Sequence, residues 1–263
     1  MPEGPETRRF VDSLSSFLPP GTQVLALEVV GGRYLKKPIE GIESAKFPLA
    51  IESIGCKGKF IHWSFSGTDT VMFNTLGMSG SWSNVARHAR VRLTTTVGDV
   101  FFNDPRNFGT IKFTTRSELA RKLKSLGPDV LSEPVTFEEF SAAIRKRPRR
   151  TLPEVLMDQS VVSGVGNYLK SDSLWLARLS PHREVGSLSD PELRALYSAV
   201  RATIRTAYDS GGSTILTYRG FDGAAGGHVH LAYGRREDPN GEPVTCEETK
   251  DGRTTWWCPS VQR

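Results

Sequence analysis

The stretch DQSVVSGVGNYLKSDSLW, residues 158–175, decides how this chain is organised. Gly164 and Gly166 break an otherwise helical pattern, and Asn167 starts a new helix. Backbone N–H groups at a helix start lack intrahelical partners, and glycines admit a close neighbour. A lone Gly-x-Gly is more often an ordinary turn, so the flanking sequence has to supply its meaning. On the upstream side, SELARKLKSLG (117–127) reads as a helix closed by Gly127-Pro128, and LSEPV (131–135) reads as a hinge. TFEEFSAAIRKR (136–147) opens with a capping box, Thr136 and Glu139. Downstream, a long helix begins at Asp190-Pro191 with Leu193, Leu196, Tyr197, Val200 and Ile204 on one face, and Gly211-Gly212 ends it.

Outside this helical block the pattern is β. Short runs TQVLALEVV, KFIHWSFS, TVMFNT, RVRLTTTV, DVFFND and FGTIKFT are separated by turn signals such as Ser66-Gly67 and Gly98-Asp99. Their number predicts a β-sandwich or barrel. Ahead of them Phe10, Leu14, Phe17 and Leu18 recur at helical spacing until Pro19-Pro20-Gly21, which predicts one flanking helix. EPVTCEETKDGRTTWWCP (242–259) reads as a hairpin around Asp251-Gly252. With a two-residue turn there, Lys250 pairs with Arg253 and Cys246 with Trp257. The fold class is α+β, with boundaries at 1–130, 131–215 and 216–263.

The chain has 263 residues, 38% of them hydrophobic, and a net charge of +5. Residues 1–130 hold 17 Lys+Arg against 12 Asp+Glu, and 131–263 hold 17 against 17, so the excess of 5 lies in the first part. A surplus of this size is weak support for a polyanionic partner. No apolar run approaches a membrane span and no signal-peptide core is present, which predicts an intracellular protein in the nucleus, bacterial nucleoid or cytoplasm. Cys56, Cys246 and Cys258 form no disulfide framework. RKRPRR (145–150) reads as a solvated linker or a nuclear-import signal before it reads as a DNA contact.

The opening MPEGPETRRF carries the chemistry. Proline suits any first helical turn. Removal of Met1 would also free the Pro2 secondary amine, a group whose pKa of about 7.7–8.0 leaves a nucleophilic fraction at neutral pH. Glu3 then stands beside a nucleophile. In KGKF (57–60) Lys59 enters a strand, and in LGMSGS (76–81) neighbouring glycines set Met78 at a turn tip. In NDPRNFG (103–109) Arg106 and Phe108 share a turn begun by Asp104-Pro105. A buried Phe with an exposed Arg is the ordinary arrangement; both exposed would suit a wedge entering a base stack.

Taken in order, PEGPE, KGKF, LGMSGS, NDPRNFG, DQSVVSGVGNY and YGRR…GRTTWWCP resemble the formamidopyrimidine/endonuclease VIII family of DNA glycosylases. The resemblance implies an N-terminal β-sandwich, a helix-two-turn-helix domain and a C-terminal β-hairpin finger. It implies a bifunctional glycosylase and abasic-site lyase in which the Pro2 amine attacks C1′ of a flipped nucleotide and β,δ-elimination follows. By the same resemblance Glu3 assists opening of the deoxyribose ring, Lys59 clamps a phosphate, and Asn167 with Arg253 holds a second one. Met78, Arg106 and Phe108 fill the void left by the flipped base. The implied partner is double-stranded DNA with damaged bases or abasic sites, bound by a monomer.

The sequence departs from the family in two places. Many relatives hold the finger with four cysteines on zinc; here the pairs read CEET (246–249) and CPSV (258–261), so Thr249 and Val261 replace two ligands. His228 and His230 are distant substitutes that read as strand residues. The expectation is a zincless finger, with no metal and no cofactor, packed by Trp256 and Trp257. Asn107 stands where many relatives have another arginine. The Gly-rich segment 212–233 matches a loop that covers the flipped base in guanine-preferring relatives, which favours oxidised and ring-opened purines over oxidised pyrimidines. The rival reading is a non-catalytic damage-binding protein on the same fold; intact Pro2, Glu3 and Lys59 speak against it.

Overall fold

A computed structural model describes residues 2–132, 134–214, 221 and 223–263. The chain forms two units: residues 1–2, 6–124 and 214–226, and residues 3–5, 125–213 and 227–263. The expected loss of Met1, part of the 131–135 hinge and the middle of the 212–233 segment lie outside the described residues.

The first unit is built on helix α1 (Gly4–Phe17) and eight strands: β1 (Gln23–Val29), β2 (Leu49–Lys57), β3 (Phe60–Phe65), β4 (Thr70–Thr75), β5 (Ser81–Ser83), β6 (Ala89–Thr95), β7 (Gly98–Asn103) and β8 (Thr110–Thr115). Their order is β5-β7-β6-β1-β2-β3-β4-β8, with antiparallel neighbours throughout. β1 meets β2 only through Gln23↔Ala50 and Val24↔Leu49, so the sheet divides there into two halves. Both halves turn side chains into one core, where Trp82 packs tilted against Trp63 and Phe102 at centroid distances of 5.3 and 5.2 Å. The layout is sandwich-like. Phe10, Val11, Leu14 and Leu18 carry the helix into the same core. Each such fully buried side chain contributes about 1.5–3 kcal/mol. Helix α2 (Arg116–Ser125) follows β8 directly.

The second unit holds α3 (Phe137–Arg145), α4 (Leu152–Met157), α5 (Asn167–Leu176), α6 (Asp190–Asp209) and a hairpin of β9 (Thr245–Thr249) and β10 (Arg253–Trp257). The Thr136/Glu139 box is formed: Thr136 Oγ1 accepts from the Glu139 amide at 3.2 Å, and Glu139 accepts from the Thr136 amide at 2.8 Å. Such caps are worth about 1 kcal/mol. α6 has the same device in Ser189 and Glu192. Within the RKRPRR stretch Arg145 pairs with Asp190 and Arg150 with Asp158; Lys146, Arg147 and Arg149 are exposed.

The hairpin register differs from the two-residue expectation. Arg253 pairs with Thr249 and Trp256 with Cys246, one position off the predicted pairing. The loop has three residues, Lys250-Asp251-Gly252, because Gly252 turns at φ 68° and its amide bonds the Thr249 carbonyl at 2.9 Å. A turn followed by a left-handed glycine adds one residue to the loop.

Candidate functional site

In the second unit the glycines around Asn167 build a seat for a carboxylate. Glu3 is 2% exposed; its Oε1 accepts from the Tyr168 amide at 3.0 Å and its Oε2 from the Leu169 amide at 3.3 Å. Those are first-turn amides of α5, where the positive end of the helix favours negative charge. The Gly4 amide bonds the Gly164 carbonyl at 2.8 Å, which lays the N-terminal segment against the turn. Gly166 has no room for a side chain, since a Cβ there would stand 2.3 Å from the Glu3 carboxyl carbon. The sequence pointed to a phosphate on these turn amides; the first two amides after Asn167 are occupied by Glu3 instead.

Around that seat the hairpin is tied to α5. Asn167 Nδ2 donates to the Thr254 carbonyl at 2.8 Å, and Ser171 Oγ accepts from the Trp256 amide at 3.3 Å. Lys170 Nζ meets Asp251 Oδ2 at 2.8 Å. Arg253 follows on the hairpin with an exposed side chain. Burial and the nearby Glu3 charge push the Tyr233 phenol up, and the Tyr233 ring packs on Trp256 at 4.5 Å.

His228 and His230 converge on Asp172, and neither finger cysteine belongs to that group. His228 forms a single bridge with Ser213 rather than lying in a strand. Asp172 Oδ1 accepts from the Ala232 and Tyr233 amides at 2.9 Å each; Oδ2 lies 3.3 Å from His230 Nδ1 and 3.6 Å from His228 Nε2. Burial opposes the charge on Asp172, but the two imidazoles and two amides outweigh it and hold the carboxyl far below its usual range. His230 Nε2 also lies 3.0 Å from Ser213 Oγ, so the His230 ring bridges Asp172 and Ser213.

The four-cysteine zinc set of the family does not fit these residues. Cys246 is exposed opposite Trp256, while Cys258 is buried with its Sγ 3.1 Å from Ser260 Oγ. Thr249 Oγ1 is committed to Asp251 at 2.6 Å and Thr255 at 2.6 Å. Structural zinc takes four ligands, and the hairpin supplies two cysteines. Trp257 Nε1 donates to Glu247 at 2.6 Å and its ring meets His182 edge-on at 5.2 Å.

The remaining candidates lie in the first unit. Pro2 is buried, and Lys59 is half-buried in the turn joining β2 to β3. Met78 and Phe108 are exposed by 37% and 52%, which excludes the ordinary buried-Phe arrangement. The Arg106 guanidinium lies 5.0 Å from the Phe108 ring centre. One buried carboxylate locks both turns: Asp104 Oδ1 accepts from Ser79 Oγ and Oδ2 from the Gly109 amide, each at 2.7 Å. Asn107 adopts φ 57°, a left-handed conformation asparagine tolerates. Its Oδ1 lies 2.3 Å from where a Cβ on Gly32 would be, so its side chain turns inward and shapes the loop.

The residues missed from sequence are Gly4, Lys170, Asp172, Tyr233 and Asp251. A signal existed for Lys170 and Asp172: two charges two and five positions past Tyr168 and Asn167 in a helix with no polar face.

Residues 1–111 match the formamidopyrimidine-DNA glycosylase N-terminal domain and residues 126–219 the formamidopyrimidine-DNA glycosylase H2TH domain. The chain is 36% identical over 216 residues to a formamidopyrimidine-DNA glycosylase of Thermus thermophilus, covering 78% of this chain and 80% of that one. Identity to the Erythrobacter litoralis enzyme of the same name is 28%, over the whole of both chains. Among solved structures, MutM (Fpg) of Thermus thermophilus superposes with a TM-score of 0.88 at 30% identity, covering 99% of this chain and 98% of that one. A Lactococcus lactis Fpg in complex with abasic-site DNA shares the fold at a TM-score of 0.85 and 22% identity, covering 99% of each chain. No helix among the described residues is long and apolar enough to cross a membrane. An N-terminal Pro-Glu whose carboxylate is seated on a glycine turn thus occurs in a chain that belongs to the formamidopyrimidine-DNA glycosylase/endonuclease VIII family.

Proposed function

We propose that this DNA glycosylase of base excision repair removes oxidised and ring-opened purines by covalent catalysis at Pro2. The observation that carries the reading is the Glu3 carboxylate, buried and held by two helix amides next to that proline. The unprotonated Pro2 nitrogen attacks C1′ and the C1′–base bond breaks, the departing base taking a proton. The C1′–O4′ bond then breaks as O4′ takes a proton, which turns the proline nitrogen into an iminium. The iminium draws electrons from C2′, so the C2′ proton is lost and the C3′–O bond breaks, and loss of the C4′ proton then breaks C5′–O. In this reading Glu3 is the group that passes a proton to the ring oxygen as the deoxyribose opens. Lys59 and the Asn167–Arg253 pair are the phosphate contacts in this reading. Met78, Arg106 and Phe108 replace the extruded nucleotide, offsetting part of a flipping cost of a few kcal/mol. The enzyme acts on cellular DNA, hence inside the cell, as a monomer.

Borohydride trapping on abasic-site DNA tests this. A covalent adduct that forms at least about tenfold more slowly in Pro2→Gly supports it. No adduct with the wild-type protein, alongside tight binding of the same duplex, would leave a damage-binding protein instead.

A further inference from the structure

Lys170 and Asp251 form an ion pair closed off from water, their side chains 0% and 3% exposed. Removing two charges from water costs several kcal/mol each, so such a pair is a poor device for stability and asks for another reason. The contacts around it supply one. While Asp251 Oδ2 takes the Lys170 ammonium, its Oδ1 accepts from Thr249 Oγ1 at 2.6 Å and faces the Arg253 amide at 3.3 Å. One carboxylate thus grips both α5 and the backbone of Arg253. On either side the Asn167–Thr254 and Ser171–Trp256 bonds join the same helix turn to the same strand. The Lys170 ammonium is also attracted by Glu3 and repelled by Arg253. Charges therefore alternate from Glu3 through Lys170 and Asp251 to Arg253.

We propose that Lys170 and Asp251 are positioning residues which fix the Arg253 backbone to α5, so that its exposed guanidinium meets the DNA phosphate without a metal to order the hairpin. The proposal rests on the reading of Arg253 as a phosphate contact. Lys170 stands on the helix that seats Glu3, so the pair also sets the hairpin relative to that carboxylate.

The experiment measures affinity for a duplex containing a stable abasic-site analogue, across a salt series, with the full chain. The variants are Lys170→Met, Asp251→Asn, Arg253→Ala and the double variant Lys170→Met/Arg253→Ala, all kept well below their thermal midpoints. Lys170→Met and Asp251→Asn should each weaken binding about tenfold and flatten the salt slope by about one counterion, as Arg253→Ala does. On the Arg253→Ala background Lys170→Met should add less than about twofold, since its effect passes through Arg253. Equal weakening in both backgrounds, or an unchanged slope in Lys170→Met and Asp251→Asn, overturns the proposal while leaving Arg253 in place. Wild-type binding by Arg253→Ala overturns the phosphate reading and this proposal together. Asp251→Asn keeps the size of the side chain and decides the matter if Lys170→Met does not unfold cooperatively.

Discussion

A Cβ on Gly166 would stand 2.3 Å from the carboxyl carbon of Glu3. The glycine is there for the carboxylate: Gly166 has an extended backbone, φ −131°, that any residue can adopt. Gly166→Ala should therefore push Glu3 off the Tyr168 and Leu169 amides. Base excision should fall by about a hundredfold, the scale of losing a positioned acid–base group. Binding to abasic-analogue DNA should change less than about threefold, since the phosphate contacts stay in place. Parallel single-turnover and binding assays check this; equal losses in both would mean a general disruption of the turn.

The mature protein should lack Met1, and intact-mass spectrometry reads that directly. Pro2→Gly keeps a primary amine but loses the secondary one, and its excision rate should drop at least about tenfold. A protein that retains Met1 and is fully active would contradict the covalent mechanism.

Phe108 is half exposed beside Arg106 in the free protein. Phe108→Ala should slow excision from an intact duplex about tenfold, because base unstacking loses its wedge. Cleavage at a preformed abasic site opposite a gap, where nothing has to be unstacked, should be nearly unaffected. The ratio of the two rates is the measurement.

Elemental analysis of the purified protein should give well under one zinc per chain, and a strong chelator should leave the thermal midpoint unchanged. The hairpin offers Cys246 and Cys258 on differently exposed faces, which is not a tetrahedral set. Stoichiometric zinc would direct attention to Asp172, His228 and His230.

Glu192 should contribute to acid stability. Its hydrogen bonds from Arg183, then from the Ser189 amide and hydroxyl, lower its pKa to about 2. In the unfolded chain the value is about 4.3. Stability is therefore fully present above the unfolded value and is lost as pH falls from about 4.5 towards 2. Glu192→Gln should flatten the fall in thermal midpoint over that range. The side chain is 35% exposed, so solvent screening keeps the effect modest.

Much of the fold was legible because local signals agreed with it. The α1 stripe, the Thr136/Glu139 box and the α6 face all lie where spacing puts them. β2 was missed because LAIESIGCK holds Glu52, Ser53 and Gly55 among its apolar residues; pairing with β3 from Ile51 to Lys57 defines it, and no local propensity does. α4 was missed because it is six residues long, though Thr151 and Glu154 carry a capping box. In the site, the sequence singled out Glu3 but not its seat, which joins residues 165 positions apart. The hairpin register turned on one residue: Gly252 at positive φ lengthens the loop, and a sequence ending in Asp-Gly fits either loop length.

That 165-residue separation sets a clock on synthesis. At about 5–20 residues per second, Glu3 emerges about 8–33 s before the amides that receive it. A ribosome halted ahead of residue 168 presents Pro2 and Glu3 with no socket for the carboxylate. Truncated chains thus carry Glu3 without the amides that seat it, and the buried carboxylate site is complete only after most of the polypeptide has been made.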